Sequence, residues 1–380
     1  MRDRICIVGV AESDCGSVPD QSALQLHHQA AKAACEDAGL EKRAIDGLFS
    51  CGSDGMHPLQ VAEYLGLRPT YIDGTQVGGS SWEFFVEHAT AALQAGLCTV
   101  ALLVYGSTAR SDWQRRLRVA ETPPARGPAQ FEAPYGLTLV GKYALAARRH
   151  MHEYGTTHRQ LAAVAVSANR WAQLNPRAFN YGKPLSIDEA LKSRMIADPL
   201  HQSDCGLRTD GGGAVILATA ERARDLRRKP IRVLGTGEAV SHVHLSQWHE
   251  MPSLVAAESG SRALEQAGLT VRDVDVLQIY DALTIMVLLT LEALGFCEPG
   301  ESGPLAESGA LAPGGRLPTN TDGGGLAANH PGMRGLFLLI EATRQLRGEC
   351  GARQVPNARV ALCNGTGGYL SSCGTVVLGE

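Results

Sequence analysis

Apolar positions along the chain fall into two rhythms that alternate. Ile5 to Val10 is an unbroken apolar run of strand length. Ser22 to Ala38 carries Ala and Leu at close helical spacing and stops at Gly39. Ile45 to Ser50 predicts a second strand, Leu59 to Leu65 a short helix and Thr70 to Asp73 a third strand. Gly78-Gly79 leads into a long helix from Ser81 to Gln94, stopped by Gly96, and Val100 to Tyr105 is a strong β run. The rhythm breaks over 107–205. That stretch holds basic residues from Arg110 to Arg118, a Pro/Gly loop (Pro123-Pro124-Ala125-Arg126-Gly127-Pro128) and helices near 139–153 and 158–173. It reads as an insertion that covers a site. Ala214 to Ala218 resumes the strand pattern, and Ile231 to Leu234 opens a second half with helices over 283–294 and 334–347 and a strand over 359–363.

The second half repeats the first. Ala30–Ser50 (AAKAACEDAGLEKRAIDGLFS) aligns without a gap on Ser259–Ile279 (SGSRALEQAGLTVRDVDVLQI). Ala34, Glu36, Ala38, Gly39, Leu40, Arg43, Asp46 and Leu48 recur as Ala263, Glu265, Ala267, Gly268, Leu269, Arg272, Asp275 and Leu277. Any helix–Gly–strand unit has some of this look. The later elements also follow in order, however: Gly78-Gly79, helix and strand are echoed by Gly323-Gly324-Gly325, helix 334–347 and strand 359–363. The pattern predicts duplication, with residues 1–225 as an N-terminal half carrying 107–205 as a lid and 226–380 as a C-terminal half. Two such halves predict an α/β fold of two stacked mixed sheets with helices between and outside them, layered α-β-α-β-α. Ligands in such folds bind at strand ends and helix N-termini.

With 380 residues, 44% of them hydrophobic, the chain can bury a large core. Gly is abundant (43) and aromatics sparse (5%), so small residues dominate the packing. A net charge of −4 with no basic field argues against nucleic acid as a partner. The ten cysteines are singletons without a C-x-x-C pair, which argues against a metal site. Met1-Arg2-Asp3-Arg4-Ile5-Cys6 runs straight into a strand, and no stretch approaches the apolar length of a membrane span. The expectation is a cytoplasmic protein with reduced thiols.

Four segments offer chemistry. Thr75-Gln76-Val77-Gly78-Gly79-Ser80-Ser81 opens the long helix, where Ser80 or Ser81 serves either as a nucleophile favoured by the helix N-terminus or as an N-cap among packing glycines. Gln278-Ile279-Tyr280-Asp281 ends the repeated strand: Tyr280 is a phenol for proton transfer or a packed ring, and Asp281 an N-cap or a site neighbour. Asp322-Gly323-Gly324-Gly325-Leu326-Ala327-Ala328-Asn329-His330-Pro331-Gly332 places His330 in a Gly-rich loop, where it can donate to a carbonyl oxygen. It lacks the phosphate-loop pattern. Cys363-Asn364-Gly365-Thr366-Gly367-Gly368-Tyr369 offers Cys363 as a reactive thiol or a small buried residue, Tyr369 as a phenol facing the site or the core, and glycines such as Gly367 that let the backbone approach a ligand.

In this order on a duplicated chain, these segments resemble the thiolase superfamily, and within it the thiolase-like lipid-transfer proteins related to sterol carrier protein thiolase. The resemblance covers nearly the whole chain, including Phe131-Glu132-Ala133-Pro134-Tyr135-Gly136, Ala162 to Pro176, Ala197-Asp198-Pro199-Leu200 and Asp204-Cys205. It implies a cysteine nucleophile at the start of the long first-half helix, around Gly79 to Ser81, where this chain has none; Cys98 lies at the far end of that helix. His330 matches the family's glycine-His-Pro histidine, with Asn329 in place of the glycine. Cys363-Asn364-Gly365 matches its Cys-x-Gly motif, whose cysteine is an acid/base. Tyr280-Asp281-Ala282-Leu283 stands where the family has Asn-Glu-Ala-Phe or His-Asp-x-Phe.

Cysteine-less members of this branch resemble steroid side-chain aldolases, which cleave a β-hydroxyacyl-CoA, use tyrosines and pair with a small DUF35-type (OB-fold, zinc-ribbon) subunit. That resemblance implies retro-aldol lyase chemistry, with Tyr280 and Tyr369 as base and proton donor in either order. His330 would hold the thioester oxygen with a backbone N–H near Ser80, and Cys363 competes as the acid. It also implies a homodimer, and coenzyme A as part of the substrate with no bound cofactor. Arg110, Arg115, Arg116 and Arg118 either meet CoA phosphates or form a solvated face. An acyltransferase using Cys363 or Ser80, and a non-catalytic acyl-CoA or sterol binder, are the alternatives.

Overall fold

The computed structural model describes residues 5–52, 56–115, 126–136 and 138–380. Arg116, Arg118 and Pro123-Pro124-Ala125 of the insertion lie outside the described residues, as does Met1 to Arg4. Nine strands form the main sheet: β1 (Ile5–Glu12), β2 (Gly47–Phe49), β3 (Tyr71–Asp73), β4 (Val100–Ser107), β5 (Gly211–Thr219), β6 (Ile231–Val240), β7 (Val276–Ile279), β8 (Val360–Gly367) and β9 (Ser372–Gly379). The principal helices are α1 (Ala23–Ala38), α2 (His57–Leu65), α3 (Ser81–Gln94), α4 (Leu139–Tyr154), α5 (His158–Ala172), α6 (Ala256–Ala267), α7 (Thr284–Ala293) and α8 (Gly335–Arg347).

The strand order is β3-β2-β4-β5-β1-β6-β9-β8-β7. It divides into β3-β2-β4-β5-β1 and β7-β8-β9-β6, two half-sheets with one connectivity. In each, a parallel pair (β2·β4, β7·β8) is followed by antiparallel neighbours, and β3 extends the first half-sheet by one more strand. The halves join edge to edge through β1 and β6, by Cys6↔Arg232 and Ile7↔Ile231. Helices α3 and α8 touch strands of both half-sheets, while α1 and α6 each cover the outer face of one. The layered α-β-α-β-α arrangement therefore holds, with the two sheets hinged at one edge.

The alternation of side chains explains the layering. In β1, Ile5, Ile7 and Val10 face the central layer, whereas Cys6, Val8 and Ala11 face α1. A bulge between Ile7 and Gly9 keeps Ile7 and Val10 on one face despite their three-residue spacing. Helix α1 starts at a capping box, Ser22 accepting from Gln25 N–H, and ends at Gly39 with φ 72°. Its counterpart α6 ends at Gly268 with φ 71°. After each glycine comes a short 3₁₀ turn, Lys42–Ala44 and Val271–Asp273. An aspartate follows in both. The Asp46 carboxylate accepts from the Thr99 and Val100 amides, and that of Asp275 from the Arg359 and Val360 amides. The residues matched in the sequence repeat thus perform the same backbone work in both halves. The strand expected over 45–50 shortens to Gly47–Phe49 because that turn and aspartate precede it.

All ten cysteines are free thiols. No helix among the described residues is long and apolar enough to cross a membrane.

Candidate functional site

Four segments from both halves meet: the start of α3, the end of β7, the Gly-rich turn before α8, and the β8–β9 hairpin. The closest approach is at Gly79. A Cβ there would run into the Tyr280 ring and the Thr366 carbonyl. Tyr280 therefore fills the space in which a side chain at 79 would stand. Gly78, with φ +84°, leaves no room for a Cβ, which would run into the Gly368 amide, and a Cβ on Gly367 would run into the Val77 carbonyl. Only glycines allow the three backbones to close on one another here.

The serine hydroxyls at this helix start are committed elsewhere. Ser80 Oγ shares a 2.8 Å hydrogen bond with Ser372 Oγ and reaches the Val77 carbonyl at 3.3 Å. Ser81 Oγ accepts from the Val77 amide at 2.9 Å and donates to Gln76 Oε1. Neither caps α3, so the N-cap expectation gives way to a hydrogen-bonded turn.

Tyr280 is buried, its ring edge-on to His330 with centroids 5.6 Å apart, and its hydroxyl accepts the Arg334 amide at 3.2 Å. Burial pushes this phenol well above its usual value, and Tyr143 and Tyr105 nearby add to the effect. The His330 backbone is tied to Thr209, and its ring Nε2 has no hydrogen-bond partner among the described residues. Burial, with Arg334 beside it, lowers the imidazole to about 4, so it is neutral at pH 7.

Asp281 does not cap the following helix, whose first residue is Thr284 with Leu283 at the cap position. Its carboxylate instead accepts the Gly325 and Leu326 amides, at 2.7 and 3.2 Å, and holds the wide turn Gly324–Ala328. Arg334 completes the clamp. Fully buried, it grips both Asp322 oxygens at 2.6 Å and the Asn329 side chain at 2.8 Å, with Asp281 at 3.5 Å. Asn329, at the position of the family's glycine, thus acquires a role as an arginine ligand.

The Cys363 thiol lies on the inner face of β8 and donates to the Leu338 carbonyl at 3.5 Å, packed in the seam behind the site. Burial raises it well above the ordinary thiol value, and Glu83 adds to that. Tyr369, half-buried, stands in the hairpin turn with Lys142 Nζ 3.8 Å from its ring centroid. Of the basic residues proposed for phosphates, Arg110 stacks on Phe179 and bonds the Arg208 carbonyl, and Arg115 bonds the Pro19 carbonyl.

Several groups that the sequence does not mark also line the site. Tyr105 donates to the Pro331 carbonyl at 2.8 Å and Tyr143 to the Gly368 carbonyl at 3.0 Å, so phenols surround the site on two further sides. Glu83 is buried within the seam, and neither carboxyl oxygen has a partner among the described residues. Gly335, Gly365 and Gly374 form its cradle, since a Cβ at any of them would collide with it. A charge flanked by Trp82 and Phe84-Phe85-Val86 in a helix between two sheets was the available signal.

Fold and site define a duplicated α/β enzyme scaffold whose helix-start nucleophile position is closed by a phenol. The family model described as Thiolase C-terminal domain-like matches residues 237–380. The chain is 35% identical to the 17-hydroxy-3-oxo-4-pregnene-20-carboxyl-CoA lyase of Mycobacterium tuberculosis, over 90% of this chain and 91% of the relative. It is 33% identical to an acetyl-CoA acetyltransferase of Methanothermobacter thermautotrophicus, over 97% of each. Among solved structures it superposes on the Ltp2-ChsH2(DUF35) aldolase with a TM-score of 0.91 and 31% identity, covering 99% of this chain and 98% of that one. The chain belongs to the thiolase superfamily, in its thiolase-like lipid-transfer branch.

Glu83 yields a test of the buried seam. Burial raises its folded-state value well above 4.5, so the folded chain holds this proton to higher pH than the unfolded chain does. Its contribution to stability is complete below the unfolded value and is lost as pH rises through the folded one. Glu83→Gln should therefore melt higher than wild type at pH 8, with the difference vanishing near pH 4. A difference independent of pH contradicts a raised Glu83.

Proposed function

We propose that this chain is an acyl-CoA-dependent C–C bond lyase that cleaves a β-hydroxyacyl-CoA, with a steroid or aromatic side chain, by retro-aldol chemistry. One observation carries the reading: the Tyr280 ring occupies the space beside Gly79 where the family's nucleophile would stand. A covalent acyl-enzyme has no place there, whereas retro-aldol cleavage requires none.

In that reaction a base takes the β-hydroxyl proton, the Cα–Cβ bond breaks, and its electron pair enters the thioester as an enolate. An acid then returns a proton to Cα. The products are a carbonyl compound and a shortened acyl-CoA. A buried phenol held above its usual value keeps its proton, which suits Tyr280 as the donor to the enolate carbon. The neutral imidazole of His330, with Nε2 unengaged, suits the thioester oxygen. Tyr369 is left as the base. Cys363, turned to the Leu338 carbonyl behind Gly365, is less well placed as the acid. Coenzyme A enters only as part of the substrate.

The similarity to an acetyl-CoA acetyltransferase supports acyl transfer as the second reading. Against it, the Ser80 hydroxyl is already spent on Ser372 and Val77.

We further propose a DUF35-type subunit, as named in the aldolase structure, and a homodimer formed through β3. That strand is a sheet edge with Ile72 41% exposed.

Tyr280→Phe and Tyr369→Phe should each lower cleavage by about a hundredfold or more, the usual scale for a lost general acid or base, with unchanged circular dichroism. Near-wild-type rates in both would remove the assignment. Light scattering on the purified chain should give the mass of a dimer, and co-expression with a DUF35-type protein a larger co-eluting complex. A monomer that ignores the partner contradicts this assembly.

A further inference from the structure

Helix α4 of the insertion sends two consecutive residues to one hairpin turn. Tyr143 is buried and its hydroxyl donates to the Gly368 carbonyl at 3.0 Å. Lys142, its side chain 10% exposed, sets its ammonium 3.8 Å from the Tyr369 ring centroid. That ammonium does not float. Glu132 Oε2 binds it at 2.8 Å, and Glu132 Oε1 accepts the Ser246 amide at 2.8 Å. The Glu132 side chain is itself only 8% exposed. A desolvated pair with its remaining acceptor filled is fixed in geometry in a way that an exposed pair is not.

The turn that Lys142 faces is under conformational constraint. Gly368 has φ +61° and Leu370, a buried non-glycine residue, φ +64°. Left-handed backbone at such a residue persists only where surrounding contacts determine it. Those contacts are Tyr143 on Gly368, and His242 Nε2 at 3.2 Å from the Tyr369 carbonyl, with Trp248 stacked on the His242 ring. On its other side the turn abuts Val77 and Gly78 at the start of α3. Tyr369 is thus held from the lid and presented beside the helix N-terminus.

We infer that Lys142 is a positioning residue for the cleavage reaction: held by Glu132, its ammonium fixes the Tyr369 ring and places a positive charge against it. That charge faces the phenolate form of Tyr369, the form that can take the β-hydroxyl proton. The inference rests on the reading of Tyr369 as the base. A lid anchor of purely structural purpose would require no cation against the ring, and an apolar residue would serve it equally.

The test uses the chain co-expressed with its DUF35-type partner and 17-hydroxy-3-oxo-4-pregnene-20-carboxyl-CoA, the substrate named for the mycobacterial relative. Because Lys142→Met alone strands the buried Glu132 carboxylate, the main variant is Lys142→Met with Glu132→Gln, which removes both charges. It should lower kcat by about tenfold with KM within about twofold, the pattern of an interaction made in the transition state. Lys142→Arg should restore most of the rate. Added to Tyr369→Phe, the charge-free pair should cost nothing further. If kcat is unchanged in the charge-free variant while Tyr369→Phe still loses about a hundredfold, the positioning role is overturned and the lyase reading stands. If the two losses multiply, Lys142 acts on something other than Tyr369 and the role is again overturned. A near-wild-type Tyr369→Phe removes the base assignment and this inference with it.

Discussion

The Tyr280 ring rests on Gly79, and the rest of the site follows from that contact. Because the ring stands where a side chain would, position 79 carries none, and the turns on either side shrink to Gly78, Gly367 and Gly368 so that three backbones can meet. The ring needs a fixed seat, and Arg334 supplies it twice. Its amide donates to the phenol oxygen, and its guanidinium ties Asp322, Asn329 and Asp281 into one buried cluster. Burying one cation with two carboxylates is costly unless every lone pair is met. Asp281 spends its oxygens on the Gly325 and Leu326 amides, so the cluster also sets the loop that carries His330. A buried neutral phenol, a neutral imidazole and a helix N-terminus without a nucleophile are the consequence.

Duplication made this asymmetry possible. In the aligned repeat, Cys51 takes the place of Tyr280. It is buried against the Ser81 hydroxyl, and burial raises its thiol to about 12, which leaves it a packing group. The N-terminal half therefore contributes a helix start and a glycine seat, while the C-terminal half contributes the phenol, the imidazole and the hairpin. Helix α4 then closes the hairpin from outside with Lys142 and Tyr143.

What was legible in the sequence was the backbone framework. Gly39 with Gly268, and Asp46 with Asp275, announced the repeat because each does the same local work in both halves, and local work leaves local signals. Tyr280 and His330 were legible as residues at strand and loop ends, and the structure sets them edge to edge. Their surroundings were not. Arg334 reads as an ordinary basic residue near a helix start until Asp281 and Asp322, far apart in sequence, fold onto it. Tyr105 and Tyr143 sit in the apolar strand β4 and in helix α4 and reach the site only through tertiary packing. Glu83 looks like a charge on a helix surface, and only its apolar flanks, Trp82 and Phe84-Phe85-Val86, mark a helix packed on both sides.

The central claim is that cleavage proceeds without a bond between acyl group and protein. Intact-mass spectrometry on the chain co-expressed with a DUF35-type protein, quenched during turnover of an acyl-labelled β-hydroxyacyl-CoA, tests it directly. The account predicts release of the carbonyl product and shortened acyl-CoA while the protein mass stays that of the unmodified chain. A stoichiometric acyl adduct on Ser80 or Cys363 that forms and decays at the rate of turnover would contradict it.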